Sequence, residues 1–245
     1  MKLIIDIGNT RTKIAIFNDN QLLHIEQTEE LSKNQLLQLI NQFPQTDGAI
    51  LSAVKNYSQD VKDSLKKNFR NFIEIGADTA IPLTNSYQSP ETLGYDRLAS
   101  AIGAEFLFPG QNLLVIDAGT AITYDIVTSR KEYLGGSISP GIWMRYKALH
   151  YFTGKLPLLQ PAEQVEIPGK NTESSIQAGV QFGTIFEVKE TICFYKKRFE
   201  NLKVILTGGD ADFLKKNLNE SIVVNTNLNL LGLNGILKYN EFYLL

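Results

Sequence analysis

The chain is poor in the residues and patterns that most directly announce a compartment or a chemistry. Its 245 residues include one cysteine, Cys193, which excludes an internal disulfide framework and fits a reducing compartment. Cys193 stands in the apolar helical stretch Glu190-Thr-Ile-Cys-Phe-Tyr195, the expected setting of a buried structural thiol and not of a nucleophile. The two histidines, His24 and His150, lie far apart without metal-ligand spacing, so both read as incidental. No apolar run approaches the roughly 20 residues of a membrane helix. The run Leu3 to Ile7 is interrupted by Asp6 and followed by no small-residue cleavage site, and it reads as a strand, not a signal peptide. Neither a Walker loop nor the dinucleotide pattern Gly-x-Gly-x-x-Gly occurs.

Excess charge of one sign is also missing. Lys and Arg number 24 against 26 acids, a formal net charge of -2, so no global field draws the chain to nucleic acid or to a membrane. Any anionic ligand has to be gripped by local groups. With 43% apolar and 20% charged residues the composition is that of a soluble globular protein, and a cytoplasmic one is expected.

What is present is a repeated order of elements. Residues 2 to 7 read as a continuous apolar strand, and Arg11 to Phe17 with Gln21 to Ile25 extend it into a three-stranded antiparallel meander through the turn Asn18-Asp-Asn20. A helix over Leu31 to Phe43, a short buried strand Ala49 to Val54 and a helix from Gln59 to Phe69 follow. From Gly76 to Thr92 the pattern dissolves into an ordered loop of the length usually reserved for function. A helix then spans Gly94 to Phe108, its apolar stripe expected at Leu98, Ala101, Ile102 and Phe106, and Pro109-Gly110 ends the half.

The second half repeats the scheme: strand Leu113 to Ile116, turn Asp117-Ala-Gly-Thr120, strand Ile122 to Thr128 and strand Tyr133 to Ile138. A helix from Ser139 to Leu149, a Pro-rich linker, a long helix from about Thr172 to Phe199, a strand Lys203 to Thr207, a helix Phe213 to Leu218, a strand Ile222 to Val224 and a closing helix Leu228 to Tyr239 complete it. The pattern predicts an α/β architecture of two duplicated lobes, 1-110 and 111-245, with a cleft between them.

The most informative stretch is Asp6-Ile-Gly-Asn-Thr-Arg-Thr-Lys13. A carboxylate ends a buried strand, a glycine lets backbone N–H groups approach an anion, and Asn9, Thr10, Thr12 and Lys13 add donors. Such a turn suits a triphosphate with a hydrated magnesium ion oriented by Asp6, although a plain hairpin would use Gly8-Asn9 equally well. The matching turn Asp117-Ala-Gly-Thr-Ala-Ile-Thr123 weighs against the plain reading, because an acid at the end of an apolar strand costs desolvation unless paired or bound to a cation. A pair of Asp-x-Gly hairpins followed by threonines resembles the phosphate-gripping device of the actin, hexokinase and Hsp70-like ATPase superfamily, with its ribonuclease H-like lobes.

Other stretches carry weaker signals. In Leu93-Gly-Tyr-Asp-Arg97 the helical wheel turns Asp96 away from the stripe, where it can accept a substrate proton while Arg97 pairs with an anion; an acid in a first helical turn also complements the helix dipole. Gly135-Gly-Ser-Ile-Ser-Pro-Gly141 and Leu206-Thr-Gly-Gly-Asp210 bring free backbone near a ligand, as tight turns also do. Asn171-Thr-Glu-Ser-Ser175 reads as a helix N-cap.

Taken in order, Asp6-x-Gly-Asn-Thr10, the Tyr87 to Arg97 segment, Asp117 to Asp125, Gly135 to Gly141, Asn171-Thr-x-x-Ser-Ile-Gln-Ala-Gly179 and Thr207-Gly-Gly-Asp210 closely resemble type III pantothenate kinases. The resemblance implies that Asp6, Ile7, Gly8, Asn9, Thr10, Arg11, Thr12 and Lys13 form the ATP phosphate loop, and that Thr120 touches ATP. It implies that Asp96 is the proton acceptor, and that Tyr87, Gly94, Tyr95, Asp96, Arg97 and Thr172 surround pantothenate. It further implies Mg2+ with ATP, held at Asp6 directly or through water, a monovalent cation (K+ or NH4+) on Asp117, and a homodimer without nucleic-acid or membrane partners. Two alternatives stand beside it: a non-catalytic nucleotide-binding regulator on the same scaffold, and a sugar or acetate kinase of the superfamily. Acceptor preference and turnover distinguish them.

Overall fold

The structure, a computed structural model, describes residues 1–218 and 221–243. In chain order the elements are β1 (Lys2–Ile7), β2 (Thr12–Asn18), β3 (Gln21–Thr28), α1 (Lys33–Gln42), β4 (Gly48–Ala53), α2 (Gln59–Asn68), β5 (Asn71–Glu74), β6 (Thr84–Asn85) and α3 (Tyr95–Leu107). Then come β7 (Leu113–Ala118), β8 (Ala121–Val127), β9 (Glu132–Pro140), α4 (Ile142–Tyr151), α5 (Thr172–Lys196), β10 (Lys203–Thr207), α6 (Ala211–Asn217), β11 (Ile222–Val224) and α7 (Leu228–Tyr243). They gather into two compact units. One takes residues 1–110, 130–134 and the C-terminal stretch from Asn227; the other takes 111–129 and 135–226.

In the first unit the sheet order is β3-β2-β1-β4-β5. The meander is antiparallel, whereas β4 pairs in parallel with both β1 and β5. Central β1 is buried on both faces, which is why Leu3, Ile4 and Ile5 run without alternation. Leu3, Ile5 and Ile7 join Ile14 and Ile16 of β2 in one cluster with Leu36 and Leu39 of α1 and Val61 and Leu65 of α2. Strand alternation therefore sends Ile4 and Asp6 to the opposite face, where α7 packs against β1 and α3. The start of α1 is set by a capping box: Gln35 N–H donates to Ser32 Oγ while the Gln35 side chain bonds the Ser32 N–H.

In the second unit the order is β11-β10-β7-β8-β9. Strand β7 pairs antiparallel with β8 and parallel with β10, which is parallel to β11. Read from β9, beyond which the sheet adds only β6, β9-β8-β7-β10-β11 repeats β3-β2-β1-β4-β5, so the expected duplication holds at the level of topology, with β7 in the place of β1. Its core joins Leu114 and Ile116 of β7 to Val188 and Ile192 of α5 and Val204 and Leu206 of β10.

Several expectations change. The closing helix, assigned from sequence to the second lobe, belongs to the first unit. So do the opening residues of β9, where Glu132 and Tyr133 pair in parallel with β6, a two-residue strand inside what read as an ordered loop without strands. The four-residue β5 was too short to show in the pattern. Phe106 is 43% exposed, while every residue from Arg97 to Glu105 is buried. The helix expected from Ser139 begins at Ile142, because Ser139 and Pro140 still belong to β9. Cys193 is a free thiol of intermediate exposure on α5, not a fully buried one.

Candidate active site

The first Asp-x-Gly turn is built by the β1–β2 hairpin. Asp6 stands directly across from Lys13 in the antiparallel register and beside Ser52 in the parallel one. The turn closes with Gly8 N–H donating to Arg11 O at 3.0 Å, which leaves Asn9, Thr10 and Arg11 exposed at its tip. Lys55 Nζ donates to the Asn9 carbonyl at 3.4 Å. Asp6 is only 7% exposed, and Asn229 Nδ2 of α7 donates to its Oδ2.

Pleating separates the eight residues of this loop. Asp6 and Lys13 share one face, whereas Ile7 and Thr12, also paired, turn to the other. There the Thr12 hydroxyl is buried with no hydrogen-bond partner, and Ile7 and Thr12 line a cavity of about 330 Å³ with Lys55, Tyr57 and Ser58. The two side chains thus stand apart from the Asp6–Lys13 pair, and what they share with it is the backbone of the turn.

The second constellation of the same unit lies at the start of α3. Gly94 is the N-cap and Asp96 sits in the first turn. Arg97 N–H donates to Asp96 Oδ1 at 2.9 Å, and the Arg97 guanidinium lies over the Tyr87 ring, 5.7 Å from its centroid. Tyr87 also packs against Tyr133 with centroids 6.3 Å apart, and its N–H is held by Asn85 Oδ1 at 3.0 Å. Gly94, Tyr95 and Asp96 are half-buried and Arg97 is buried. The structure therefore gathers Tyr87, Gly94, Asp96 and Arg97 in one place: a carboxylate, a guanidinium and an aromatic wall.

In the second unit Asp117 and Ala118 end β7, and the turn closes with Gly119 N–H donating to Ala121 O at 2.9 Å. Thr120 is exposed at the tip, and its carbonyl accepts from Gly141 N–H at 3.1 Å. The Asp117 carboxylate lies against the Cα of Gly208: a Cβ there would come within 2.5 Å of Asp117 Oδ1. Gly208 has φ +93°, a conformation glycine adopts without steric cost. Nearby, Asp210 N–H donates to Ala118 O at 2.9 Å, and burial pushes the Asp210 carboxyl above its ordinary pKa. Thr172 is exposed as the first residue of α5, and Asn171 is its N-cap, accepting from Ser174 N–H at 2.8 Å.

These turns suit hard cations. Among the described residues no three His, Cys, Asp or Glu converge, so neither turn offers a His/Cys cage, and an ion at Asp6 or Asp117 would rely on carboxylate, backbone carbonyl, water and ligand phosphate oxygens. That donor set is the one Mg2+ and alkali cations take, and soft transition metals do not.

Residues 2–193 match the sequence profile of the type III pantothenate kinases. The chain belongs to this family. It is 43% identical over 244 residues to the type III pantothenate kinase of Christiangramia forsetii, covering 98% of this chain and 99% of the relative. The type III pantothenate kinase of Bacteroides fragilis is 42% identical over 241 residues, with 98% and 99% covered. Solved structures agree on the fold. A Campylobacter jejuni protein described as a Baf family transcriptional activator superposes with a TM-score of 0.62 at 24% identity over 98% of this chain and 99% of its own. A glucokinase from an Antarctic psychrotroph gives 0.56 at 13%, covering 97% and 98%, and the Clostridium difficile activator of 2-hydroxyisocaproyl-CoA dehydratase gives 0.55 at 14%, covering 99% and 96%. The fold is that of the actin, hexokinase and Hsp70-like ATPases, and the chain is a kinase built on it.

Sequence reasoning overlooked Asn229 altogether. It lies 223 residues from its partner Asp6, and the stretch Thr226-Asn-Leu-Asn-Leu230 has no feature to single it out. It also missed the network at Glu187 of α5, which accepts from Tyr124 Oη at 2.8 Å, from Ser139 Oγ and from Arg145 Nη2. A faint signal was there, since Ser139 lies in the Gly-rich stretch already noted.

Proposed function

We propose that the protein transfers the γ-phosphoryl group of ATP to the primary hydroxyl of pantothenate, giving 4'-phosphopantothenate and ADP, the first step of coenzyme A synthesis. The observation that carries the reading is the grouping of Tyr87, Gly94, Asp96 and Arg97 at the start of α3 in a chain related to pantothenate kinases along nearly its whole length.

In this mechanism Asp96 accepts the proton of the pantothenate hydroxyl as its oxygen attacks the γ-phosphorus in line with the departing ADP oxygen. Arg97, held by the Tyr87 ring, pairs with the pantothenate carboxylate, and Tyr95 completes this part of the acceptor site. The β1–β2 turn from Asp6 to Lys13 holds the phosphates, with backbone N–H groups at Asn9 and Thr10 as donors and Lys13 as a cation; Thr120 contacts the nucleotide. Mg2+ at Asp6, when bound, spreads the charge of the phosphates, and K+ or NH4+ at Asp117 supplies fixed positive charge next to the second turn.

The reading includes a cytoplasmic homodimer. Its support is a set of exposed apolar side chains in the second unit: Phe186 and Phe194 of α5 are 55% and 49% exposed, Ile138 of β9 is 62% exposed and Met144 of α4 41%. Among the described residues no helix is long and apolar enough to cross a membrane.

The test is ADP release by the purified protein with Mg-ATP and K+ against a panel of acceptors. Release that depends on pantothenate is expected. Release with a sugar or acetate instead, or nucleotide binding without turnover, would overturn the assignment. Light scattering behind a sizing column reads the oligomer.

A further inference from the structure

Helix α7 lies outside the stretch that matches the family profile, which ends at residue 193, yet it makes two contacts that bear on the site. The first is the hydrogen bond from Asn229 Nδ2 to Asp6 Oδ2. The second is its packing on α3, the helix that starts at Asp96. The two helices meet backbone to backbone: a Cβ on Gly232 would collide with the Ala99 carbonyl, and one on Gly103 with the Leu228 carbonyl. One rigid element therefore touches the carboxylate assigned to the phosphate side and the helix that carries the carboxylate assigned to the acceptor.

We infer that Asn229 is a positioning residue for Asp6, and that α7 is part of the frame holding Asp6 and the Asp96 helix. This rests on the phosphate-loop reading of Asp6. A carboxylate torsion is broad and roughly two-fold, so a buried Asp at a strand end needs a donor to fix its plane. Asn229 is suited to that task because its amide is neutral. Lys13 already faces Asp6 across the hairpin, so a neutral amide fixes the carboxylate without adding a second positive charge. The bond to an ionised acceptor is among the stronger kinds, and it is made where little water competes, since Asp6 is 7% exposed.

The experiment is a titration of the full chain with Mg2+ and a nonhydrolysable ATP analogue, in the absence of any acceptor, together with the Mg2+ dependence of turnover. Asn229→Leu keeps the approximate volume and removes the donor; it is expected to bind the Mg-nucleotide roughly tenfold more weakly and to raise the half-saturating Mg2+ by a similar factor. Its KM for pantothenate stays unchanged. Asn229→Asp, nearly isosteric and placing a like charge on Asp6, is read in the same way in case the leucine disturbs folding, and it too is expected to shift the Mg2+ midpoint. Asn240→Ala serves as the control on the same helix: it loses the hydrogen bond to the Ala80 carbonyl, and lowers melting temperature without moving the midpoint. Folded Asn229 variants with wild-type nucleotide affinity and Mg2+ midpoint would overturn the inference. A wild-type chain that binds no Mg-nucleotide would overturn it together with the phosphate-loop reading. Normal nucleotide binding without transfer to pantothenate would remove the acceptor assignment alone.

Discussion

Gly94 lies beneath the carboxylate of Asp96, so close that a Cβ at position 94 would collide with Asp96 Oδ1. The backbone at Gly94 is ordinary, with φ -61° and ψ 126°, so an alanine there meets no torsional penalty. It meets only the carboxylate, which can swing away. Gly94→Ala is therefore expected to cost little stability, under about 1 kcal/mol, and to lower kcat on the order of tenfold or more by misplacing the base. Thermal melts and steady-state rates on the same preparation check the split. A normal kcat would show that the Asp96 rotamer is not critical.

Asp96→Asn keeps shape and removes the proton acceptor. Expected is a fall in kcat of about 10²-fold to 10⁴-fold, the usual worth of a general base, with nucleotide affinity within about twofold of wild type, as judged by binding of the ATP analogue. The half-exposed position makes a folding defect an unnatural outcome. Near-normal turnover would remove Asp96 from the mechanism.

Much of this was legible in the sequence, for a definite reason. Asp6 and Asp117 interrupt apolar strands, and a buried charge is the loudest signal a sequence carries; both duly end central strands, β1 and β7. The stripe on α3 was legible only in part. Helical periodicity marks which residues share a face but not how wide a surface the neighbours cover, and α7 approaches so closely at Ala99 and Gly103 that α3 is buried nearly all round while Phe106, near its end, emerges. Two features were out of reach altogether. The return of α7 to the first unit and the Asn229–Asp6 contact depend on the course of the chain between distant residues, which no local pattern encodes.

The adjacent glycines 208 and 209 make a matched pair. At Gly208, φ is +93° and an added Cβ would collide with the Ala118 carbonyl, a backbone atom that cannot give way, as well as with Asp117 Oδ1. At Gly209 nothing lies within 4 Å. Gly208→Ala should therefore destabilise by about 1–3 kcal/mol, which lowers the melting temperature by several degrees, and should abolish activation by K+ at temperatures where the variant remains folded. Gly209→Ala should leave both near wild type. Asp117→Ala is expected to lose K+ activation as well, and with less loss of stability than Gly208→Ala. Unchanged salt dependence in Asp117→Ala would count against a cation at this turn.

Glu187 predicts how stability responds to acid. Burial alone would raise its carboxyl, but the hydrogen bonds from Arg145, Ser139 and Tyr124 and the charge of Arg145 outweigh that effect and hold it below the ordinary carboxylate value. Tyr124 is shifted the other way, up, by burial and by its bond to the same carboxylate. Because the folded pKa of Glu187 lies below the unfolded one, about 4.3, the native state binds fewer protons in the interval between them. The network therefore contributes its full stability above that value and loses it as pH falls through the folded pKa. Glu187→Gln keeps the shape but not the charge, and at pH 7 should cost about 1–3 kcal/mol. The difference in melting temperature between wild type and variant should then narrow as pH drops from about 6 towards 3. A gap that stays constant across this range would mean that the network stabilises by packing and neutral hydrogen bonds, with no part for the ionised carboxylate. The same network restrains Ser139 and, through Arg145 Nε on the Pro140 carbonyl at 2.8 Å, the end of β9. Loss of activity in Glu187→Gln at neutral pH, at a temperature well below its melting point, is accordingly expected to accompany the loss of stability.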